Sequence, residues 1–159
     1  MTFNRTQIFH MKSHILTLAL VCALSACGGS DPEPVPTESE KVTGLLTTSG
    51  GKWSLPASGG VTIDGVDVTD DLFPGFSITF QVGTFKTTGT SPVWLRQDTW
   101  KFKDESAKVI LRSQDNREIT ISEISATQLR LTLEWQETTT SGGGRQASLK
   151  GKHEFILNK

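Results

Sequence analysis

The sequence predicts an all-β domain, an antiparallel up-and-down barrel of eight to ten strands, with a two-sheet β-sandwich as the alternative. Three observations carry this prediction. Apolar and polar residues alternate over whole segments, turn-forming clusters separate those segments at short intervals, and no segment holds a helical period for three turns. Antiparallel strands with no helix to cover a face must close on themselves or pack as two sheets. Periodicity alone does not separate the two.

Strands fit at 43–48, 51–56, 60–68, 76–82, 84–88, 93–102, 107–112, 117–124, 127–138 and 146–157. In FSITFQV, Phe76, Ile78, Phe80 and Val82 share one face and Ser77, Thr79 and Gln81 the other. The same alternation places Trp100 with Phe102, Ile119 with Ile121, and Leu129, Leu131 and Leu133 with Trp135, the pattern of half-buried antiparallel strands. In LKGKHEFIL it gathers Leu149, Gly151, His153, Phe155 and Leu157 on the inward face. Between these runs stand Asp64-Gly65, Pro74-Gly75, Gly89 with Pro92, Lys103-Asp104-Glu105, Gln114-Asp115-Asn116 and the glycine-rich tip Ser141 to Gly144. Glycine supplies positive φ there, and Asp or Asn bonds its own backbone, so each cluster can reverse the chain. Only Ser122 to Gln128 tolerates a short helical turn, and a loop suits it better.

Ahead of the strands, residues 1–26 have the layout of a secretory signal: Arg5 and Lys12 in a polar opening, then the apolar run Ile15 to Leu24. That run is shorter than the roughly 20 residues a membrane-spanning helix needs. Its end, Leu24-Ser25-Ala26-Cys27, resembles the lipobox of bacterial lipoproteins. The alternative is an ordinary secretory signal with an incidental cysteine. The resemblance implies cleavage before Cys27, lipid attachment at Cys27, and a chain held to the outer membrane of the cell envelope, facing the periplasm or the cell surface. More than one acyl chain makes such an anchor stable. Residues 27–41 then form a lipidated flexible tether, because Gly28 to Glu40 carries three prolines and four acids against one aliphatic residue, Val35. The acids behind the cysteine also resemble the export signals of Bacteroidetes surface lipoproteins.

Removing the signal discards Cys22, His10 and His14, which leaves no disulfide partner and one histidine, His153. The remaining 14 basic and 17 acidic residues give a net charge of −3, and no basic run suits a phosphate backbone, so nucleic acid is not an expected partner. Residues 42–159 have the size of one domain, expected to be monomeric, and show no internal repeat.

Four short motifs in this domain resemble those of the lipocalin-like domains found among Bacteroidetes lipoproteins. They are Gly51-Lys52-Trp53, which fits GxW; Phe80 with Gly83-Thr84-Phe85; Thr99 to Asp104, TWKFKD; and Gly151, His153 and Phe155, a terminal GxHxF. The likeness extends over Leu46 to Leu157 and implies a barrel of about eight strands. In lipocalins the GxW tryptophan packs under an arginine from near the end of the barrel. Here the last strand offers Lys150 and Lys152, and Arg145 lies in the loop before it.

Catalytic equipment is sparse. There is no Tyr, no GxSxG elbow to seat a serine beside His153, and no set of Cys or His for zinc, so an enzyme is not expected and no cofactor or metal is implied. Asp64, Asp67, Asp70 and Asp71 lack the D-x-D-x-D-G spacing of a calcium loop and read as solvated acids. Two functional readings remain. In the first, the barrel binds a small apolar or amphipathic ligand in a cavity lined by Phe80, Trp100, Trp135 and His153. In the second, it is a structural or interaction module that binds protein or glycan through its surface, with Trp94 beside Pro92 as an exposed anchor.

Overall fold

Pro36 and Thr37 set up the first element. The Thr37 hydroxyl accepts from Glu40 N at 3.2 Å, and the Glu40 carboxylate accepts from Thr37 N at 2.7 Å, a reciprocal capping box that starts helix α1, Glu38–Thr47. Val42 and Leu46, four residues apart, form its buried stripe. This helix stands where the sequence predicts the end of a tether to residue 41 and a strand over 43–48. The structure, a computed structural model, describes residues 34–137 and 149–159. The signal, Cys27, most of the tether, Arg145 and the glycine-rich tip at 141–144 lie outside the described residues.

Ten strands follow: β1 (Lys52–Ser54), β2 (Val61–Ile63), β3 (Val66–Asp67), β4 (Ser77–Gln81), β5 (Thr84–Thr88), β6 (Gln97–Phe102), β7 (Val109–Arg112), β8 (Glu118–Ile124), β9 (Gln128–Trp135) and β10 (Gly151–Asn158), with a one-turn helix α2 at Thr69–Leu72. Strands β4 to β10 pair with their sequence neighbours, all antiparallel, and β1 pairs with both β4 and β10. That last pairing, Ser54 opposite Asn158, closes an eight-stranded barrel and excludes the sandwich. Strands β2 and β3 are the two extra ones. β2 continues along the same edge of β10, with Val61 opposite Phe155 and Ile63 opposite His153. Its hairpin to β3 turns on Asp64 (φ 48) and Gly65 (φ 84), the two left-handed residues a tight two-residue turn requires.

α1 lies at the end of the barrel where β1 begins. Gly51, φ 68, is obligatory there: a Cβ would stand 2.0 Å from Phe80 O. Trp53 is fully buried, its Nε1 donating to Leu46 O at 3.0 Å, which ties the helix to the barrel. The cation over its ring is Lys159, with Nζ 4.3 Å from the centroid and donating to Leu45 O at 2.9 Å. Among the described residues, neither Lys150 nor Lys152 stands over this ring.

Inward residues form one apolar core from Val42, Leu46 and Trp53 through Ile78, Ile110, Ile119 and Leu131 to Phe155 and Leu149. A run of ring contacts threads it, from Trp100 to Phe80 (5.9 Å), Phe85 (6.3 Å), Trp94 (5.5 Å), Phe155 (5.8 Å) and His153 (6.3 Å). Such pairs, edge-to-face, tilted and, for His153 on Phe155, stacked, add to the stabilisation from area burial.

Candidate functional site

Strand direction divides the barrel into two ends. Around α1 lie the β4–β5 turn, the start of β1 and the end of β10. At the opposite end lie the β5–β6 connection, the β7–β8 turn, the end of β9 and the start of β10. The four residues expected to line a cavity split between them. Phe80 and Trp100 pack together on the α1 side, and Trp100 Nε1 donates to Gln81 O (3.1 Å) and Thr84 O (2.9 Å). Trp135 and His153 belong to the opposite end, as inward neighbours across β9 and β10: Gly151 faces Trp135 and His153 faces Leu133.

Polar chemistry collects at that opposite end. Arg112, on the inward face of β7, is 1% exposed. Its Nη1 donates to Val93 O at 2.7 Å, its Nε donates to Asp115 at 3.1 Å, and its Nη2 pairs with the second Asp115 oxygen. The guanidinium also lies 5.6 Å from the centre of the Trp94 ring. Asp115 receives Arg117 as well, through its backbone N at 3.2 Å and an ion pair with its Nε at 3.4 Å. Arg117 reaches on to Glu137 and stacks 3.8 Å over Trp135. An arc therefore runs Trp94, Arg112, Asp115, Arg117, Trp135, with each indole under a guanidinium. Burial works against ionisation of Asp115, but the hydrogen bond and charge of Arg112, with Arg117 behind them, outweigh it and hold the carboxyl below the ordinary range.

Trp94 is 6% exposed and packs on Phe76, Phe85 and Phe155, so it is not the exposed anchor the surface reading needs. Ser91 Oγ, accepting from Val93 N and Trp94 N, turns the chain so that the indole points inward. His153 is fully buried, with Nε2 2.7 Å from Leu149 O. A carbonyl only accepts, so Nε2 carries the proton and Nδ1 presents a bare lone pair. Burial pushes this imidazole below its usual pKa, with the Leu149 hydrogen bond opposing, which keeps it neutral at pH 7.

Four side-chain atoms at this end, Trp94 Nε1, Trp135 Nε1, His153 Nδ1 and Arg117 Nε, are buried without a hydrogen-bond partner among the described residues; of these, Arg117 Nε stands in an ion pair with Asp115. The contrast with Trp53 and Trp100, whose indole N–H groups meet carbonyls, separates the two ends chemically. Buried polar groups in folded proteins are otherwise satisfied almost without exception.

The acidic cluster has other duties. Asp67 accepts from Gly59 N, Thr69 N and Thr69 Oγ1, which hold it below the ordinary carboxylate range, chiefly through the Thr69 hydroxyl. Asp64 accepts from Lys152 N at 2.9 Å. Among the described residues, no three His, Cys, Asp or Glu side chains are grouped to hold a metal ion, and no helix is long and apolar enough to cross a membrane.

Sequence reasoning passed over Arg112, Asp115 and Arg117. Parity was the available signal for the first, because in VILR it puts Arg112 on the same face as Ile110. No protein-family model matches the chain, and comparison with curated proteins and with solved structures returned no match.

Proposed function

We propose that the chain is a bacterial envelope lipoprotein, anchored to the outer membrane through Cys27, whose lipocalin-like barrel binds a small amphipathic ligand at the end opposite α1. One observation carries the ligand reading: Trp94 Nε1, Trp135 Nε1 and His153 Nδ1 are buried, polar and unpartnered among the described residues, at the same end. A ligand with complementary polar atoms removes the cost of leaving them bare, about 1–3 kcal/mol for each. The rings in contact from Trp100 to His153 belong to the packed core, which favours a ligand at that end over one that fills the whole lumen. The membrane reading rests on the lipobox-like Leu24 to Cys27 and the acidic, proline-rich segment behind it.

Burial of Trp94 removes the aromatic anchor of the surface-module reading, and the exposed Val66 and Val82 are separate turn-adjacent residues, not a patch. Native mass spectrometry of the mature chain extracted from the membranes of its source tests the proposal. The expected spectrum shows the acylated protein with a further small molecule at one-to-one stoichiometry. Acylated protein with no added mass under the gentlest release would sink the ligand reading. Retention of acylation by a Cys27→Ser variant would sink the anchor.

A further inference from the structure

Of the four unpartnered atoms, Arg117 Nε already faces the Asp115 carboxylate as an ion pair, and the other three specify more than the presence of a ligand, because each has a fixed hydrogen-bond sense. An indole N–H only donates, so Trp94 and Trp135 ask for two acceptors. His153 Nδ1 only accepts while Nε2–H is bonded to Leu149 O, so it asks for one donor. All three side chains are more than nine-tenths buried. The charges nearby are already matched: Arg112 is bonded to Asp115 and Val93 O, and Arg117 to Asp115 and Glu137. An anionic ligand would have to displace Asp115 from a guanidinium that is buried and bonded on both sides. The surroundings are rings, Phe73 at 6.3 Å from His153 and Phe76 and Phe155 at 6.2 and 5.8 Å from Trp94.

Resting on the ligand reading above, we propose that this end binds a small neutral molecule with a hydroxyl group and a second, carbonyl or ether oxygen on a flat apolar body. The hydroxyl donates to His153 Nδ1, and the oxygens accept from Trp94 and Trp135. A site built to bond a hydroxyl rejects the analogue that lacks it far more strongly than a greasy pocket rejects a wrong shape.

The test uses the ¹⁵N-labelled full chain in non-ionic detergent and follows the four indole N–H resonances, assigned with single Trp→Phe variants. The probes are 4-hydroxyacetophenone, acetophenone, ethylbenzene and 4-hydroxybenzoate, of similar size. The expected result is that 4-hydroxyacetophenone moves the Trp94 and Trp135 signals downfield and leaves Trp53 and Trp100 in place. It binds at least about tenfold tighter than acetophenone and more tightly still than ethylbenzene or the anion. His153→Gln reduces the preference for the hydroxyl, and Trp135→Phe weakens binding without removing that preference, so the result does not depend on one variant folding. Equal affinity for ethylbenzene or 4-hydroxybenzoate at the same two indoles overturns the ligand class while leaving a binding site. No shift of either indole with any probe overturns the site itself, and native mass spectrometry without a copurified molecule then removes the binding reading with it.

Discussion

Asp115 joins two arginines, one of them fully buried, so its neutralisation strands the Arg112 charge inside the barrel. Asp115→Asn is expected to cost about 2 kcal/mol in urea unfolding, below the roughly 3–5 of a fully buried pair because water reaches the 30% exposed carboxylate. Arg112→Met in the same background recovers part of that loss; an additive further loss would contradict the pairing. His153 gives a pH signature. Its folded pKa is depressed, so its contribution is complete above the ordinary value near 6.5 and is lost as pH falls from there through the folded value. Unfolding midpoints are expected to drop between pH 7.5 and 5.5 in the parent, and the drop is smaller in His153→Gln. At this scale the sequence was partly legible. Parity placed Phe80, Trp100, Trp135 and His153 inside, because a strand alternates faces strictly. It carries no information on height along the barrel, so it could not show that these four belong to two ends. Trp94 lies ahead of β6 rather than in the strand predicted over 93–102, and its direction depends on the Ser91 turn.

Among the elements, the turns at Asp64-Gly65 and at 114–116 were legible from their own backbone preferences, although the first interrupts the single strand predicted over 60–68; Val82, predicted on the inward face of a strand, is instead exposed at the β4–β5 turn. Helix α1 was the least legible. Its ten residues include Gly44 and two threonines, Thr43 and Thr47, poor helix formers, and its stability comes from the Thr37–Glu40 cap and from Val42 and Leu46 packing on the barrel. The T-x-x-E spacing was the one local signal for it. Where α1 meets β1, Gly51 is the sharpest test of the element boundary. Gly51→Ala combines a left-handed φ with a Cβ only 2.0 Å from Phe80 O, whereas Gly83→Ala, φ 71, meets open space. Gly83→Ala is expected to cost about 1 kcal/mol and Gly51→Ala clearly more, read from chemical denaturation. Equal costs would mean that the Gly51 turn does not press on β4.

Over the whole molecule, barrel closure depends on one non-local pairing, β1 with β10, between residues about a hundred positions apart. Local alternation is the same in a barrel and a sandwich, which is why the choice had to wait for the register. The closed barrel has one end sealed by α1, Trp53 and Lys159 through satisfied hydrogen bonds, and another where two indoles and an imidazole are buried without partners among the described residues. That asymmetry is the basis for placing a ligand. A high-resolution crystal structure of the protein purified from its own source tests it most directly. Density for an organic molecule within hydrogen-bond distance of Trp94 Nε1, Trp135 Nε1 and His153 Nδ1 is the expected result. Ordered waters or protein groups bonded to all three atoms, with no organic density beside them, would contradict it.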